Sequence, residues 1–469
     1  MTDIPGEIFK GYDIRGIYPK QLNEENIQDI VKATYTFFKN SLKKDKLQMV
    51  VGRDMRLSSP SLFEVATKTL VDLGVEVIDI GVVSTPTFYF AVYHYGYDCG
   101  FQISASHNPK EWNGMKIVLN SPKGLIKIGK ATGLDEIKKM AQEGVEISVQ
   151  GAVDSGQITK KENVIKEEVE TAIKLTCNPK LKSFKAVADA ANSMGATYLE
   201  ELYKQIPGEL IKMNFELNGS FPSHQPDPLQ ADTLIDLQKR VVEEKADLGY
   251  APDGDGDRFF FIDEKGKIVK PSAITAIVTR ELLAEHKGEK ILFDIRYVLT
   301  PKRIAEENGG EGVLVRVGHA YITEKMHETG AIFGGESSAH FFFRDTGNAE
   351  GPLLVVLHVL NAMTKTGKTL SELAAEVNRS HESGEINFKV TNAKEIMDKL
   401  KELHKDGEVI EIDGVAVQYP DWRFSLRTSN TEPMLRLNVE EEIGGTGDKH
   451  LKLIELINQH AKFADSAEN

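Results

Sequence analysis

The chain has 469 residues, 41% hydrophobic and 27% charged, the proportions of an ordinary globular protein. Its 57 basic against 71 acidic side chains leave a net charge of −14, which argues against a nucleic-acid or anionic-membrane partner. Cys99 and Cys177 are the only cysteines, so a disulfide framework and a cysteine-based zinc site are both excluded, and the length calls for roughly three or four domains of about 100–200 residues.

The opening MTDIPGEIFK has neither the basic nor the apolar segment of a secretory signal, and the longest apolar run, Pro352 to Met363, is too short to span a bilayer. A reducing cytoplasm is the expected location. Over residues 1–153 strand and helix patterns alternate. Asn23 caps a helix running to about Leu42, with Ile27, Ile30, Val31, Tyr35 and Phe38 on one face. Leu47 to Val51 reads as a strand ending in the polar loop Gly52-Arg53-Asp54. Pro60 suits the first turn of the next helix and Gly74 its end. Val75 to Ile80 is a further strand, Thr85-Pro86 opens another helix, and Cys99 to Ile103 is the strand that follows.

Residues 154–267 repeat the rhythm, with strands at Lys185 to Asp189, Leu210 to Phe215 and Leu248 to Tyr250, and helices near 195–206 and 231–246. Residues 268–381 repeat it again, with strands at Lys290 to Ile295, Val313 to Val317 and Ala331 to Phe333, and a helix near 351–366. From 382 to 469 the pattern changes: short strands between Val409 and Val439 lie between helices near 392–404 and 448–463. Such alternation implies parallel or mixed sheets covered by helices. The expected fold is α/β, three mixed-sheet domains followed by a C-terminal α+β domain.

The chemistry is concentrated in loops. After the Cys99 strand come Ser104-Ala105-Ser106-His107-Asn108-Pro109, then a second short run bearing Lys116. A strand stopped by Asn-Pro predicts an exposed loop at its C-terminal end, where α/β sheets bind ligands. Ser106, His107 and Lys116 there put a nucleophile, a proton carrier and a cation at one mouth. Asp253-Gly254-Asp255-Gly256-Asp257-Arg258 alternates carboxylates with glycines, so the oxygens can converge on a hard cation such as Mg²⁺. A calcium EF-hand is excluded, because Arg258 stands at the obligatory glycine and a strand, not a helix, follows.

Arg427-Thr428-Ser429-Asn430-Thr431 offers a guanidinium, hydroxyls and an amide, a phosphate cradle or a capped turn. Gly334-Gly335-Glu336-Ser337-Ser338-Ala339-His340 sets a glutamate and serines on a glycine-opened loop, able to meet sugar hydroxyls. Gly318-His319 and Tyr12-Asp13-Ile14-Arg15-Gly16 complete the set, Arg15 being available to an anion.

Together FKGYDIRG, SASHNP with NGMK, DGDGDR, VGHA, GGESSAH and RTSNTEP resemble the motifs of the α-D-phosphohexomutases, specifically the phosphomannomutase/phosphoglucomutase group, in order and over essentially the whole length. The resemblance implies four domains around a central cleft, the last closing over substrate. It implies that Ser106 is a phosphoserine, with His107 in its loop. Asp253, Asp255 and Asp257 would hold one Mg²⁺ per chain together with an oxygen on Ser106, and Arg258 would sit beside that phosphate. Lys116, Arg15 and His319 become candidates for proton transfer and charge stabilisation. Tyr12, Arg296, Glu336, Ser338 and His340 would line the sugar site, and Arg427, Ser429, Asn430 and Thr431 would hold the phosphate that is not reacting.

The expected reaction interconverts hexose 1-phosphate and hexose 6-phosphate through a 1,6-bisphosphate, which also serves as activator. Small hexose phosphates are the expected partners, of a monomer or homodimer. Phe342-Phe343-Arg344-Asp345 after GGESSAH looks like phosphomannomutases, and Ser429-Asn430-Thr431 departs from the Ser-Gly-Thr of phosphoglucosamine mutases. Ser337 and Arg296 replace the methionine and lysine of some members, leaving mannose, glucose or both as substrate. A Mg²⁺-dependent phosphomonoesterase, a phosphoglucosamine mutase and a non-enzymatic sugar-phosphate sensor are the rival readings.

Overall fold

The computed structural model describes residues 4–145, 156–428 and 434–463; the boundary expected near 153 and the candidates Ser429, Asn430 and Thr431 lie outside the described residues. Three sheets of mixed direction, each with helices packed on it, are followed by an antiparallel sheet. In the first sheet Cys99–Ile103, Gln48–Arg53 and Glu76–Val82 run parallel, and Trp112–Ser121 and Ile14–Ile17 are added antiparallel. Cys99–Ile103 is buried along its whole length, as a parallel strand covered on both faces must be. Gln157–Lys160, beyond the boundary drawn near 153, pairs in parallel with Glu76–Val82 at the edge of this sheet.

The second sheet is built on Phe184–Asp189, Gly208–Met213 and Leu248–Pro252 in parallel, with Phe259–Asp263 returning antiparallel. The third has Lys290–Asp294, Glu311–Val315 and Phe333–Gly335 parallel, with Phe341–Phe343 returning antiparallel. The fourth is antiparallel throughout, centred on the hairpin Trp422–Thr428 and Met434–Glu442.

One topological feature recurs. In each of the first three sheets a parallel strand turns back on itself as an antiparallel one, and the turn is a chemistry-bearing loop: Ser104 to Glu111, Asp253 to Arg258, Glu336 to His340. A change of direction at a strand's C-terminal end opens a crevice, because the next helix no longer covers it.

Local signals set the helices. Asn23 accepts from the amides of Glu25 and Asn26, while Asn26 reaches back to the amide of Asn23; such a cap contributes about 1 kcal/mol. Ser84 caps Thr85–His94 through the amide of Thr87 at 3.1 Å. The expected helix near 231–246 is instead a short 3-10 turn, Ala231–Leu234, and then Ile235–Glu243. The second and third layers share one apolar core, in which Phe261, Phe293, Phe333 and the helix Pro352–Thr366 are buried; each such phenylalanine stabilises the fold by roughly 1.5–3 kcal/mol. No described helix is long and apolar enough to cross a membrane.

Candidate active site

Ser106 sits at φ +52 and is 3% exposed. Of the loop expected to be exposed, Pro109, Lys110 and Glu111 are exposed, but Ser104, Ala105 and Ser106 are buried, because their backbone is gripped from behind. Arg56, itself fully buried, donates to the carbonyls of Ser106 (2.7 Å), Asn108 (2.6 Å), Pro109 (2.7 Å) and Trp112 (2.9 Å). Asp54 lies 3.2 Å from its Nε and the Phe221 ring covers its guanidinium. On the other side the Ser106 amide donates to Ser104 Oγ at 3.0 Å. The Ser106 hydroxyl points away from this grip, donating to Asp253 Oδ2 at 2.9 Å and lying 3.2 Å from His107 Nδ1.

The aspartate loop meets the serine loop backbone to backbone. A Cβ on Gly254 would stand 2.3 Å from the Ser106 carbonyl oxygen. Gly256 adopts φ +78, and its carbonyl accepts from the buried Tyr198 hydroxyl at 3.1 Å. Glycine is thus required once for approach and once for conformation. The loop draws one oxygen each of the buried Asp253, Asp255 and Asp257 to within 4.8 Å of one another.

Lys116, in register with Gln102 on the neighbouring strand, places Nζ 2.6 Å from Asp255 and 2.5 Å from Asp257. Thr85 holds Asp255 twice, through its hydroxyl at 2.6 Å and its amide at 2.9 Å.

Electrostatics report an unfinished balance. Burial, and then Asp257 and Asp255, push the Asp253 carboxyl up to about 7. Burial acts the same way on Asp257, but Lys116 and His340 overcome it and hold that group well below the carboxylate range. Burial opposes the charge on Lys116, yet Asp255 and Asp257 raise it well above an ordinary lysine. Oδ1 of Asp255 is buried without a hydrogen-bond partner among the described residues, while Oδ1 of Asp257 faces His340 Nε2 at 3.3 Å. Three buried carboxylates, one orphaned oxygen and one of the three groups reluctant to ionise fit a hard divalent cation with oxygen ligands.

Around this centre the other candidates fall into place. Arg15 is bound by Asp13 at 2.7 Å and donates to Asn108 of the serine loop at 2.6 Å. Arg258 reaches Asp227 at 3.5 Å. Burial, then Arg258 and Arg15, holds His107 well below an ordinary histidine. In the third layer His340 lies 3.3 Å from Asp257 and 2.9 Å from Glu336, with Ser338 Oγ at 3.0 Å. Burial disfavours its charge, but Asp257 and Glu336 raise it to about 9.

Glu336 also accepts from Arg296 at 3.3 Å and from the Gly318 amide at 3.0 Å. Arg296 is clamped by Asp294, which binds Ser337 as well. Tyr12 packs on Gly318, its ring 5.0 Å from that of His319. Burial, then Lys127 and Lys116, keeps His319 well below an ordinary histidine. Lys127 and Glu350, paired at 2.5 Å and both buried, join the first and third layers beneath the site. Arg427 stands apart from this cluster: its ion pair is with Glu385 at 2.6 Å.

Arg56, Thr85, Lys127, Glu350, Glu385 and Arg436 were not singled out by the sequence reading. For Arg56 a signal existed, a second basic residue just past a polar loop at a strand's C-terminal end. For the others the partner lies far along the chain. Chemically, the arrangement offers a hydroxyl beside a cation site, protonated cations around it, and a separate basic site on the fourth sheet.

Comparison with known proteins is consistent along the chain. Four profiles match in order: phosphoglucomutase/phosphomannomutase alpha/beta/alpha domain I over 6–145, domain II over 165–266, domain III over 270–380, and the C-terminal domain over 385–446. A phosphomannomutase of Vibrio cholerae is 37% identical over 464 residues, spanning 96% of this chain and 98% of that protein. One from Methanocaldococcus jannaschii is 36% identical, spanning 93% and 94%. The X-ray structure of a phosphoglucomutase/phosphomannomutase family protein from Burkholderia thailandensis superposes with a TM-score of 0.84 at 28% identity, covering 98% of this chain and 99% of that one. An N-acetylphosphoglucosamine mutase of Aspergillus fumigatus, solved with GlcNAc-6P and magnesium, shares the fold at TM-score 0.61 and 13% identity, with 97% of each chain covered.

Proposed function

The chain belongs to the phosphoglucomutase/phosphomannomutase family and is a phosphohexomutase, an isomerase of sugar phosphates, and from that premise we propose that Ser106 carries the phosphoryl group it moves. The observation that carries this reading is the Ser106 hydroxyl 2.9 Å from Asp253, at the mouth of a buried three-aspartate cluster. Asp253, Asp255 and Asp257 would hold one Mg²⁺, the ion solved with GlcNAc-6P in the A. fumigatus fold relative. When bound it would neutralise charge on the transferring phosphoryl oxygens.

In the forward step the bond between phosphorus and Ser106 Oγ breaks as the free hydroxyl of a hexose 1- or 6-phosphate bonds to the phosphorus. The hydroxyl proton leaves to a base, and Ser106 Oγ takes up a proton. Of the candidates, His319 is held neutral and suits acceptance, whereas Lys116 and Arg15 are held protonated and suit stabilisation of the anionic transition state. The resulting 1,6-bisphosphate turns in the cleft and returns its other phosphate to Ser106. Glu336, Ser338, His340, Arg296 and Tyr12 would face the sugar. Arg427, with Ser429, Asn430 and Thr431, would hold the phosphate that is not reacting. The V. cholerae and M. jannaschii relatives are phosphomannomutases, so mannose phosphates are proposed as substrates together with glucose phosphates.

The test is a coupled assay with mannose 1-phosphate and glucose 1-phosphate, with and without a hexose 1,6-bisphosphate primer. The reading expects 6-phosphate product, stimulation by primer and no inorganic phosphate. Continuous release of inorganic phosphate without need of primer would instead identify a phosphomonoesterase.

A further inference from the structure

Arg427 on Trp422–Thr428 is directly in register with Arg436 on Met434–Glu442. Like charges opposite each other on paired strands repel, and their side chains emerge on the same face. The chain places its own anion between them. Glu385 accepts from Arg427 Nη2 at 2.6 Å through one carboxylate oxygen and from Arg436 Nη1 at 3.0 Å through the other. Nε of each arginine is buried and has no hydrogen-bond partner among the described residues, so both guanidiniums keep donors in reserve. The charge of Glu385 is felt by Arg296 of the third layer, so the cluster lies on the side of the fourth sheet that faces that layer. A carboxylate brings two oxygens and one negative charge to these two forks. A phosphate monoester brings three terminal oxygens and close to two charges, and fills them better.

We propose that Glu385 is an internal placeholder for the non-reacting phosphate of the substrate, shared between Arg427 and Arg436 and displaced from both when a hexose phosphate is held. This rests on the reading that the Arg427 loop is the distal phosphate site. The device answers a requirement of the reaction itself. A bisphosphate that must turn end for end has to leave this site in every turnover, and a resident carboxylate able to retake both arginines keeps the phosphate exchangeable. Glu385 thereby trades ground-state affinity for release.

Steady-state kinetics with mannose 1-phosphate, and competitive inhibition by inorganic phosphate, test it in the full-length enzyme. Glu385→Gln keeps shape and hydrogen bonding but removes the charge. KM and the inhibition constant of phosphate should both fall, by about threefold to tenfold, with kcat unchanged or lower. A KM and an inhibition constant that rise or stay at parent values would overturn the placeholder. Arg427→Ala separates the two readings. If it raises both constants while Glu385→Gln lowers neither, the distal site stands and the placeholder fails. If Arg427→Ala moves neither constant, the distal site itself lies elsewhere. The Glu385 side chain is 27% exposed, so the isosteric change is tolerable. Should that variant still be unstable, Glu385→Asp, too short to bridge both arginines, should lower both constants by a smaller factor, and a rise in either would count against the proposal.

Discussion

The two regions proposed to meet phosphate, around Ser106 and around Arg427, are built in opposite ways. At the Ser106 end the serine and the three aspartates are buried and their loops held more than once: the serine loop by the four carbonyl contacts of Arg56, Asp255 by Thr85 and Lys116, and the two loops by a backbone approach that admits only glycine. At the Arg427 end two arginines lie on one hairpin with a single partly exposed glutamate between them. The difference suits the work proposed for each end. Bond making requires the reacting atoms to be fixed to a fraction of an ångström, since a 1 Å error costs about a hundredfold in rate. Holding a phosphate that must be released and replaced needs charge without rigidity.

Substitutions at the two ends should therefore fail in different ways. The largest effect is expected for Ser106→Ala. Turnover should drop by at least about a thousandfold, with hexose phosphate binding, measured by calorimetry, close to that of the parent. Unchanged turnover would remove Ser106 from the chemistry. Gly254→Ala should come next, because the new Cβ meets backbone, the Ser106 carbonyl, at 2.3 Å and pushes the aspartate loop away. A fall of about a hundredfold in kcat with little change in KM is expected, and parent-like kcat would mean that the approach of the two loops is not critical.

Arg427→Ala should give the reverse pattern, a KM raised by about tenfold or more with a smaller change in kcat, since it removes charge-assisted bonds worth roughly 1.5–3 kcal/mol each. A fall confined to kcat would erase the distinction between the ends.

The smallest effect concerns the scaffold behind the reacting end. Glu168 is buried and bonded to Thr87 in the first turn of the helix whose Thr85 holds Asp255. Burial raises its carboxyl to about 7. Between the ordinary glutamate value and about 7 the unfolded chain binds fewer protons than the folded one, so stability is greatest at low pH and declines as pH rises through that window, by roughly 3–4 kcal/mol in all. Glu168→Gln should melt higher than the parent at pH 8, by a few degrees, and the gap should close towards pH 5. A gap independent of pH would show that the carboxyl is not neutral in the fold.

Much of this was legible before any coordinates. Cys99–Ile103 and Lys290–Asp294 are short apolar runs bounded by polar loops, the pattern of a parallel strand buried on both faces. The aspartate loop was legible because its chemistry is local: alternation with glycine already dictates convergence. Phe341–Phe343 is too short to show a period, and Gln157–Lys160 is exposed throughout, so neither announced itself as a strand. Thr85 and Glu385 escaped for another reason. Their partners lie 170 and 42 residues away, and no local pattern encodes a contact that only the assembled layers create. The exposure expected of the Ser106 loop held for Pro109 to Glu111 but not for Ser104 to Ser106, since the buried arginine behind them comes from another strand's end.

The central claim is that Ser106 Oγ is the atom that carries the phosphoryl group. The direct measurement is to incubate the enzyme with magnesium and a hexose 1,6-bisphosphate, remove the sugar, and map phosphate by peptide mass spectrometry before and after adding hexose 1-phosphate. The account predicts one phosphoryl group on Ser106 that disappears into bisphosphate within a single turnover. A fully active enzyme with Ser106 unmodified, or with a phosphate there that added substrate never removes, would contradict it.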